Sequence, residues 1–316
     1  MFEAWQNFKR GKPKTVAIDT FAYQLEENLR ILKDEIRNHQ YRHGAYKQVI
    51  LREKKRRDLA VAMVRDRIVH RYVYDQLVAC LDKILDPDVW SCRKGKGLHG
   101  ALARTQALLQ KYSHSYVWRA DITKFFDHVD HEVLGACLAR KIDTGSELFW
   151  LCQQIIASYT SDRQTDRQTD RQTARGIPIG NLTSQIFSNI YLNEFDRYVR
   201  HTLKPQAYLR YGDDFVCMAT TRRQVRQIRR DAVRFLSNQL GLSANPRNDV
   251  VVRTIDGVHF LGHCITKSYA VVDKRTSRAV IQKVNFCNLA SYRSLYLVPQ
   301  IKRQLYYKIV DNITQK

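Results

Sequence analysis

Two adjacent carboxylates, Asp213 and Asp214, stand between two short apolar runs. Neighbouring like charges repel each other, and burying them without compensation raises a pKa. A divalent cation would relieve this repulsion, and Mg²⁺ in proteins is usually held by one or two carboxylates together with phosphates and water. Two such ions, about 3.5–4 Å apart, stabilise the attacking and leaving oxygens of an in-line displacement at phosphorus. The pair therefore predicts a metal site for phosphoryl transfer, although aspartate is also common in ordinary turns.

The elements that would position this pair can be read from the pattern of apolar residues. Residues 208–211 and 215–218 bracket Gly212-Asp213-Asp214, which is typical of two strands joined by a tight turn. A further strand is predicted at 116–122, and a charged hairpin is predicted within 46–64. Helical spacing predicts helices over 16–38, 66–85, 100–112, 181–199 and 222–240, and another from about residue 130. This order predicts an α+β protein whose sheet is backed by helices.

The charge of the chain indicates its class of partner. Its 316 residues include 53 Lys and Arg against 31 Asp and Glu, a formal net charge of +22. Such a field attracts polyanions and supplies the part of nucleic-acid affinity that does not depend on base sequence. A ribosome-associated or membrane-surface protein would carry the same charge, so charge narrows the class without choosing within it.

Cysteine usage and hydropathy predict a cytoplasmic protein without a membrane partner. The 7 cysteines are scattered and contain no C-x-x-C pair, which indicates reduced thiols. No apolar run approaches the roughly 18 residues that span a bilayer. The first residues also lack the basic and then apolar pattern of a secretion signal.

The C-terminal segment is basic and rich in tyrosine. Residues 274–310 contain Lys and Arg but no Asp or Glu, with Tyr292, Tyr296, Tyr306 and Tyr307 interspersed. Cationic side chains neutralise phosphates, and aromatic faces pack on sugars and bases. We interpret the segment as a nucleic-acid clamp; the alternative is a solvated helical face with tyrosines in the core.

A tetrapeptide repeat occupies residues 162–173, where Asp-Arg-Gln-Thr occurs three times in succession. The codons ACA GAC AGA CAG encode Thr-Asp-Arg-Gln and are one four-base unit repeated, so the segment has the form of a translated microsatellite. Without any apolar residue it is predicted to be a disordered surface loop. Gain or loss of one four-base unit would shift the reading frame before Asp213, which suggests an expression switch; the alternative is a harmless expansion in a tolerant loop.

Five motifs stand in the order found in one enzyme family. They are Arg57–Val69, Ser91–His99, Asp121–Asp127, Tyr211–Asp214 and His259–Gly262. In these residues the chain resembles the prokaryotic reverse transcriptases related to group II intron enzymes, over about residues 1–275. The resemblance implies an RNA-directed DNA polymerase, a nucleotidyltransferase with a right-hand fold. It implies fingers at 1–110, a palm at 111–272 with the repeat loop at 161–175, and a short helical thumb at 273–316.

The resemblance also implies the metal and nucleotide contacts. Asp121, Asp213 and Asp214 would be the catalytic residues and, with the Ile122 carbonyl, would hold two Mg²⁺ ions, for which Mn²⁺ is the alternative. The other implied contacts to the incoming deoxynucleotide are Arg57, Lys55, Phe126, Ile179, Gly180 and Gln185.

Individual roles follow from the same resemblance. Phe126 falls where an aromatic ring lies under the sugar and excludes a 2′-hydroxyl. Arg57 would grip the triphosphate, a task that suits bidentate arginine. The expected lysine just before it is assigned to Lys55, for which Arg52 and Lys54 compete. Template and primer contacts are implied at Lys94, Lys96, Tyr211, Phe260, Leu261 and Gly262.

Two departures from the family pattern bear on function. The usual Gln-Gly-x-x-x-Ser-Pro is here Ile179–Gln185, a variant that resembles the enzymes of diversity-generating retroelements and of some stand-alone and defence-associated relatives. Loss of the Gln amide at Ile179 suggests loosened nucleotide selection. The second departure is Asn248, which stands where the family commonly has a lysine that protonates pyrophosphate. Arg247 is a poor substitute proton donor because its pKa lies above about 12.

These observations lead to a main interpretation and two alternatives. The main one is an enzyme of a diversity-generating retroelement that copies a dedicated RNA into cDNA. Its partners would be the RNA template, the DNA product, dNTPs, and a cognate non-coding RNA or a small accessory protein, with the oligomeric state open. The chain is expected to lack room for a maturase or endonuclease domain, so priming would come from a partner. The alternatives are an antiphage defence polymerase acting on a linked non-coding RNA and a non-catalytic RNA-binding scaffold.

Overall fold

The computed structural model describes residues 1–52, 56–165, 172–274 and 277–278, with the backbone alone at 51–52, 56–57, 162–165 and 172–173. The chain forms two compact units, each assembled from three separate segments. Unit 1 comprises Met1–Asp86, Thr123–Tyr198 and Arg234–Ser243. Unit 2 comprises Pro87–Ile122, Val199–Val233 and the described residues from Ala244 onward. The predicted division into fingers, palm and thumb stays a prediction, and the basic segment after residue 278 lies outside the described residues.

Ten α-helices and eleven strands are present in the described residues. The helices are α1 (Phe2–Lys9), α2 (Val16–Tyr23), α3 (Leu25–Arg37), α4 (Val64–Leu81), α5 (Leu98–Lys111), α6 (Phe125–His128), α7 (His131–Ala139), α8 (Glu147–Ala157), α9 (Leu182–Tyr198) and α10 (Arg222–Leu240). Short 3₁₀ turns at Asp82–Ile84 and Thr254–Asp256 and a π turn at Val199–Leu203 complete the helical part. The strands are β1 (Lys47–Arg52), β2 (Arg56–Val61), β3 (Tyr116–Ala120), β4 (Asp162–Thr165), β5 (Gln172–Arg175), β6 (Ala207–Tyr211), β7 (Asp214–Ala219), β8 (Val250–Arg253), β9 (Val258–Phe260), β10 (His263–Ile265) and β11 (Ala270–Val272).

Unit 1 is built around α4 and α9. Helix α9 is buried on nearly all sides, since twelve of its residues are enclosed, and α4 packs along it. The amphipathic α3 buries only one stripe, made by Leu29, Leu32 and Ile36, as the sequence pattern predicts. A helix with one apolar stripe lies at the edge of the interior.

The predicted helix over 16–38 is two helices in the structure. The break falls at Gln24, whose backbone leaves the helical region at φ −117° and ψ 45°. The Asn28 side-chain amide donates to the Phe21 carbonyl at 3.0 Å, and so satisfies an acceptor exposed by the break. The apolar spacing continues across this point, so the helical period alone does not reveal it.

The charged hairpin predicted within 46–64 is confirmed. Strands β1 and β2 pair antiparallel from Lys47 opposite Val61 to Arg52 opposite Arg56. Lys54 and Lys55 lie outside the described residues, and Arg57 is described by its backbone only.

The repeat tract is paired at both ends, which differs from the expectation of a disordered loop. Strands β4 and β5 form an antiparallel ladder from Asp162 opposite Arg175 to Thr165 opposite Gln172. Ser161 anchors its base by donating through Oγ to the Asp127 carbonyl at 2.7 Å, and the Gly176 amide donates to the Val129 carbonyl at 2.8 Å. Anchored ends lower the entropic cost of pairing, which explains strands in a segment without apolar residues. Residues 166–171 lie outside the described residues.

Unit 2 contains a four-stranded antiparallel sheet in the order β6-β7-β3-β8. Successive side chains in its strands point to opposite faces. One face, with Val117, Leu209 and Met218, joins a core that α5 supplies with Leu102 and Leu109. The other face carries Trp118 and Phe215, whose rings meet edge to face with centroids 5.0 Å apart. Both faces are covered, which accounts for the continuous apolar runs of β6 and β7.

A second sheet of unit 2 is the three-stranded meander β9-β10-β11. Val258, Phe260 and Ile265 extend from it into the same core. In the part of the chain that the structure describes, no helix is both long and apolar enough to cross a bilayer.

Candidate active site

The hairpin β6–β7 presents the two adjacent aspartates. Tyr211 pairs with Asp214 at its end, so Gly212 and Asp213 form a two-residue loop. Gly212 has φ 65°, a conformation that costs a glycine little. Glycine with positive φ at the first central position is the signature of a type II′ turn, whose twist suits a tight hairpin. The turn therefore fixes the backbone of Asp213 and Asp214 at one end of the sheet.

Strand β3 brings Asp121 level with this turn. Ala120 pairs with Phe215 in the antiparallel ladder, so the next residue, Asp121, comes opposite Asp214. The charges of Asp213 and Asp121 both act on the Asp214 carboxyl. The three predicted catalytic aspartates thus lie together in unit 2, and their catalytic role stays a prediction.

Asp214 is held in an environment that disfavours its charge. Burial, followed by the charge of Asp213, raises the pKa of Asp214 to about 6, from an ordinary value of 3.8. Arg119 opposes this effect by donating through Nη2 to Asp214 Oδ1 at 3.3 Å. One arginine is thus insufficient to neutralise the cluster, which retains an affinity for further positive charge.

The two oxygens of Asp121 have different surroundings. Oδ2 accepts hydrogen bonds from the side-chain amides of Asn248 at 2.9 Å and Asn245 at 3.3 Å. Oδ1 is buried and has no hydrogen-bond donor among the described residues. A buried carboxylate oxygen without a partner is costly, so this atom is suited to a ligand.

These side chains fit a divalent cation. A cation would give Asp121 Oδ1 a partner and would relieve the repulsion that raises the pKa of Asp214. Across the described residues, no three Asp, Glu, His or Cys side chains are arranged so that they could hold a metal ion by themselves. An open carboxylate site is what Mg²⁺ uses when phosphate oxygens and water complete its shell. Ile122, the implied backbone ligand, follows Asp121 and forms an antiparallel bridge with Ala244.

Asn248 has a definite role in the structure. Its amide nitrogen donates to Asp121 Oδ2, and its Oδ1 accepts from Arg119 Nη1 at 3.4 Å. Since Arg119 also bonds Asp214, Asn248 joins two of the aspartates through one chain of hydrogen bonds. It stands where a proton-donating lysine is expected in the family, and here it orients a carboxylate.

For the polymerase activity that the resemblance implies, substituting Asn248 by Ala should lower the rate of DNA synthesis about 10- to 100-fold, because residues that orient metal ligands typically contribute this much. The concentration of Mg²⁺ giving half-maximal rate should rise at the same time. Primer extension over a Mg²⁺ titration measures both. Asn245→Ala removes the longer of the two bonds and should have the smaller effect; a Mg²⁺ requirement equal to wild type in Asn248→Ala would contradict this role.

Arg210 and Asp88 support the β6–β7 hairpin through hydrogen bonds. The fully buried Arg210 donates through Nη1 to the Gly212 carbonyl at 2.9 Å, and its backbone amide donates to the Asp88 carbonyl at 3.0 Å. Burial acts to raise the pKa of Asp88, but hydrogen bonds from Arg104 and Trp90 and the charge of Arg200 outweigh burial and hold that pKa below its ordinary value. Ionised Asp88 thus pairs with Arg104 and Arg200.

Sequence reasoning missed Arg119, Arg210 and Asn245. A signal was present for the two arginines, because each is the only charged residue in an otherwise apolar strand. A buried charge in such a strand requires partners. Asn245 had no comparable signal, because asparagine is common in loops of every kind.

In unit 1 the predicted nucleotide contacts group around the loop at residues 177–181. The Ile177 amide donates to the Phe126 carbonyl at 2.8 Å. The Phe126 ring is half-buried and meets the buried Phe125 edge to face at 5.3 Å between centroids. Part of the Phe126 ring therefore remains accessible to a ligand.

The same loop is tied to strand β2, which carries Arg57. The Ala60 amide donates to the Ile179 carbonyl at 3.1 Å, and Asn181 bonds the Ala62 amide at 3.2 Å and the Ala60 carbonyl at 2.5 Å. Gly180 is exposed at φ 106°, in a region that side chains rarely adopt. The structure thus brings the backbone of Arg57 and the residues Ile179 and Gly180 into one assembly. Gln185 is exposed on α9.

The predicted template and primer contacts fall at two places in unit 2. Lys94 is exposed, whereas Lys96 donates to the Pro87 carbonyl and lies over the Trp90 ring at 4.7 Å. Of these two lysines, Lys94 is the one presented to solvent. Tyr211 is half-buried beside the aspartate turn.

The second place is the turn between β9 and β10. Leu261 and Gly262 both have positive φ, 51° and 74°, which a type I′ turn requires and which strains a leucine. The Phe260 ring is 1% exposed and packs in the core. A primer would therefore meet the Leu261-Gly262 turn, and Phe260 would serve to hold that turn.

Comparison with known proteins identifies similar chains. The family model described as "Reverse transcriptase (RNA-dependent DNA polymerase)" matches residues 25–265. Protein YkfC of Escherichia coli (strain K12) is 27% identical over 281 residues, covering 76% of this chain and 71% of that protein. An uncharacterized 91 kDa protein in a cob intron of Schizosaccharomyces pombe is 24% identical over 147 residues, covering 46% of this chain and 17% of that protein.

Among solved structures, telomerase from Candida albicans in complex with the TWJ fragment of telomeric RNA is similar. The TM-score is 0.52 at 11% sequence identity, and the match covers 92% of this chain and 59% of the telomerase chain. At this identity the likeness concerns the fold alone. It confirms the predicted α+β right-hand polymerase fold with an antiparallel palm-like sheet.

Proposed function

The chain belongs to the reverse transcriptase family of RNA-dependent DNA polymerases, and we propose that it copies a dedicated RNA template into cDNA within a diversity-generating retroelement. The observation that carries the catalytic part is the grouping of Asp121 with Asp213 and Asp214, where the pKa of Asp214 is raised to about 6 and Asp121 Oδ1 is without a donor among the described residues. Carboxylates that repel each other at the end of a sheet are suited to metal-assisted phosphoryl transfer.

Each side chain of the site has a task in this proposal. When bound, two divalent ions, Mg²⁺ or in its place Mn²⁺, stabilise the attacking 3′-oxygen and the leaving pyrophosphate. Asp121, Asp213 and Asp214 would hold the ions, and the Ile122 carbonyl would be a further ligand. Asn248 orients Asp121, and Arg119 stabilises the ionised form of Asp214.

The incoming deoxynucleotide is assigned to the unit 1 residues. Arg57, with Lys55, grips the triphosphate, while the accessible part of the Phe126 ring lies under the sugar and excludes a 2′-hydroxyl. Ile179, Gly180 and Gln185 complete the contacts. The hydrogen bonds that tie β2 to Ile179 and Asn181 support this assignment, because they give the groups a common frame.

Primer extension tests the proposal. The protein, purified together with its bound RNA, should incorporate dTTP on poly(rA)/oligo(dT) in the presence of Mg²⁺. The double variant Asp213→Ala/Asp214→Ala, tested at equal concentration, should give only background. Equal, minimal incorporation by both would favour the alternative of a non-catalytic RNA-binding scaffold.

The retroelement role rests on the segment Ile179–Gln185. The same variant motif resembles that of defence-associated enzymes, so an antiphage polymerase that copies a linked non-coding RNA is the second candidate. Genomic context separates the two. Paired template and variable repeats beside the gene support the retroelement, and a defence island without such repeats supports the antiphage role.

Restoring the family glutamine at Ile179 should lower the misincorporation rate. Ile179 is half-exposed and its carbonyl is held by Ala60, so the substitution changes the presented side chain and leaves the loop in place. We expect a decrease of about 10-fold, the discrimination typical of one neutral hydrogen bond at about 1.4 kcal/mol. Sequencing of cDNA made by wild type and by Ile179→Gln on one template measures it. An unchanged error rate would remove the basis for low fidelity.

A further inference from the structure

Helix α10 carries an unusual set of exposed cations. Its 19 residues include six arginines and a single acid, Asp231. Five of the arginines are exposed, and four of these belong to unit 2: Arg222, Arg223, Arg226 and Arg230. The helix turns about 100° per residue, so these four fall within an arc of roughly 100° on one side. The inner side of the same segment is occupied by the buried Val225, Ile228 and Ala232.

These four side chains differ from Arg104 and Arg229 of the same unit, whose charges are paired with carboxylates. Arg229, on the same helix, forms a bidentate pair with Asp249 at 2.7 and 2.6 Å, and Arg104 pairs with Asp88. No carboxylate of the described residues lies within ion-pair distance of the four exposed arginines, of which Arg230 bonds only the neutral Gln227. We call the exposed set Arg222, Arg223, Arg226 and Arg230 the arginine face; within the part of the chain that the structure describes, it has no acidic partner.

The spacing of the arginine face fits a nucleic-acid backbone. Arg222 and Arg230 are separated by about 12 Å along the helix at 1.5 Å per residue. Phosphates on one strand of a duplex follow at about 3.4 Å of axial rise, so this length corresponds to roughly four phosphates. Arginine binds phosphate oxygens through two parallel hydrogen bonds, which makes it the appropriate cation for this contact.

The remaining side chains of the face exclude other occupants. A protein interface needs apolar or aromatic anchors at its centre, and none of the exposed large apolar residues of the described chain lies on α10. Single-stranded RNA is held by aromatic rings that stack on bases, and the arc presents none. Recognition by charge alone is typical of a duplex contacted through its phosphates.

We propose that the arginine face of α10 binds the phosphate backbone of a double-stranded segment of a partner RNA. The inference deepens the proposed function, since it supplies a contact by which a cognate structured RNA is held. It depends on the enzyme having an RNA partner and is independent of the chemistry at the aspartates.

Binding of a blunt RNA hairpin without a primer end tests the proposal. The quadruple variant R222Q/R223Q/R226Q/R230Q should bind it about 10- to 1,000-fold more weakly at physiological salt, because each lost phosphate contact removes about 0.9 from the slope of log K against log salt. A titration in KCl from about 50 to 200 mM should therefore show a slope smaller in magnitude by about 3.6. The matching quadruple lysine variant keeps the charge and should keep the slope.

A charge-matched control separates this face from the general basic character of the chain. It replaces four exposed cations of unit 1 by glutamine: Arg10, Lys14, Lys33 and Arg37. Both variants lose four of the +22 charges, and the control should weaken hairpin binding less than about 3-fold if bulk charge is secondary. Equal losses in the two variants, or no loss in the α10 variant, would overturn the proposal.

Primer extension on poly(rA)/oligo(dT) is measured on the same samples. The α10 variant should extend primers as well as wild type does, and this activity also shows that the variant is folded. If the quadruple variant does not fold, the double variants R222Q/R226Q and R223Q/R230Q are used instead. Each double variant should give an intermediate slope. Loss of extension in parallel with hairpin binding would assign the face to the primer–template and would overturn the proposal. If the proposed function is wrong, the wild-type protein will show no primer extension. Hairpin binding by the variants can still be compared in that case.

Discussion

Replacing Asp214 by asparagine should reduce DNA synthesis at least about 1,000-fold, since removal of a metal-binding carboxylate forfeits several kcal/mol of transition-state stabilisation. The same substitution should raise the melting temperature of the metal-free protein at neutral pH. Burial and the charge of Asp213 destabilise the ionised Asp214 carboxyl, as its pKa of about 6 indicates. An amide of the same shape avoids both effects. Activity and stability thus move in opposite directions.

The pH dependence of this stability difference has a defined sign. A carboxyl group with a pKa of about 6 in the folded chain and 3.8 when unfolded binds more protons in the folded state between these values. The contribution of this carboxyl group to the free energy of unfolding is therefore greatest below pH 3.8, and it is lost as the pH rises through about 6. The melting temperature of Asp214→Asn minus that of wild type should be near zero at pH 4 and should grow up to about pH 7.

Asp249→Asn provides a matched control from the same unit. Asp249 accepts from Trp118 Nε1 at 2.7 Å and from Arg229, and these donors and the charge of Arg229 outweigh burial and hold the pKa of Asp249 below its ordinary value. Its amide variant should melt at a lower temperature at neutral pH while extending primers within about 10-fold of wild type. Thermal unfolding without metal and primer extension with Mg²⁺ give both quantities. If Asp214→Asn also melts lower than wild type at neutral pH, repulsion does not dominate the aspartate cluster.

Replacing Phe126 by alanine should admit ribonucleotides. The backbone of Phe126 is fixed by Ile177 and its ring contacts the buried Phe125, so truncation leaves a space instead of a collapsed loop. The ratio of kcat/KM for dGTP to that for GTP should fall by about 100-fold, the usual limit when a pocket no longer rejects one added hydroxyl. Single-nucleotide incorporation opposite a template cytosine measures this ratio.

Phe126→Tyr is the control, because it keeps the ring and should keep the preference for dGTP. The kcat/KM for dGTP in Phe126→Ala should decline by much less than the selectivity changes. A ratio in Phe126→Ala equal to that of the tyrosine variant would place the sugar-excluding group elsewhere.

The local sequence pattern was sufficient to predict much of the fold. Helix α10 begins and ends where the arginine and aliphatic spacing predicts, and β6 and β7 follow the apolar runs on either side of Gly212. The break at Gln24 and the ladder of the repeat tract were not predicted. Both depend on particular hydrogen bonds, from Asn28 to Phe21 and from Ser161 to Asp127, which leave no periodic trace in the sequence.

The candidate site likewise contains some residues that the sequence predicts and others that only the structure reveals. The aspartates were accessible to sequence reasoning because Asp213 and Asp214 are adjacent, and Asp121 belongs to a motif. Their supporting residues come from distant parts of the chain: Arg119 meets Asp214 over 95 positions, and Asn245 meets Asp121 over 124. Contacts of this range depend on how the strands pair, so the structure is needed to find them.

The ladder of β4 and β5 has a consequence for how the gene can vary. If the tract is the translated four-base repeat that the sequence suggests, three units encode four residues, and in-frame changes in tract length come in steps of four residues. Because strand residues alternate between two faces, an even step preserves the parity of pairing at the anchored end, where Asp162 meets Arg175. Alleles that differ by whole steps can then encode the same folded base, and only the intermediate lengths interrupt translation before Asp213. Populations carrying this gene are therefore expected to contain discrete length classes.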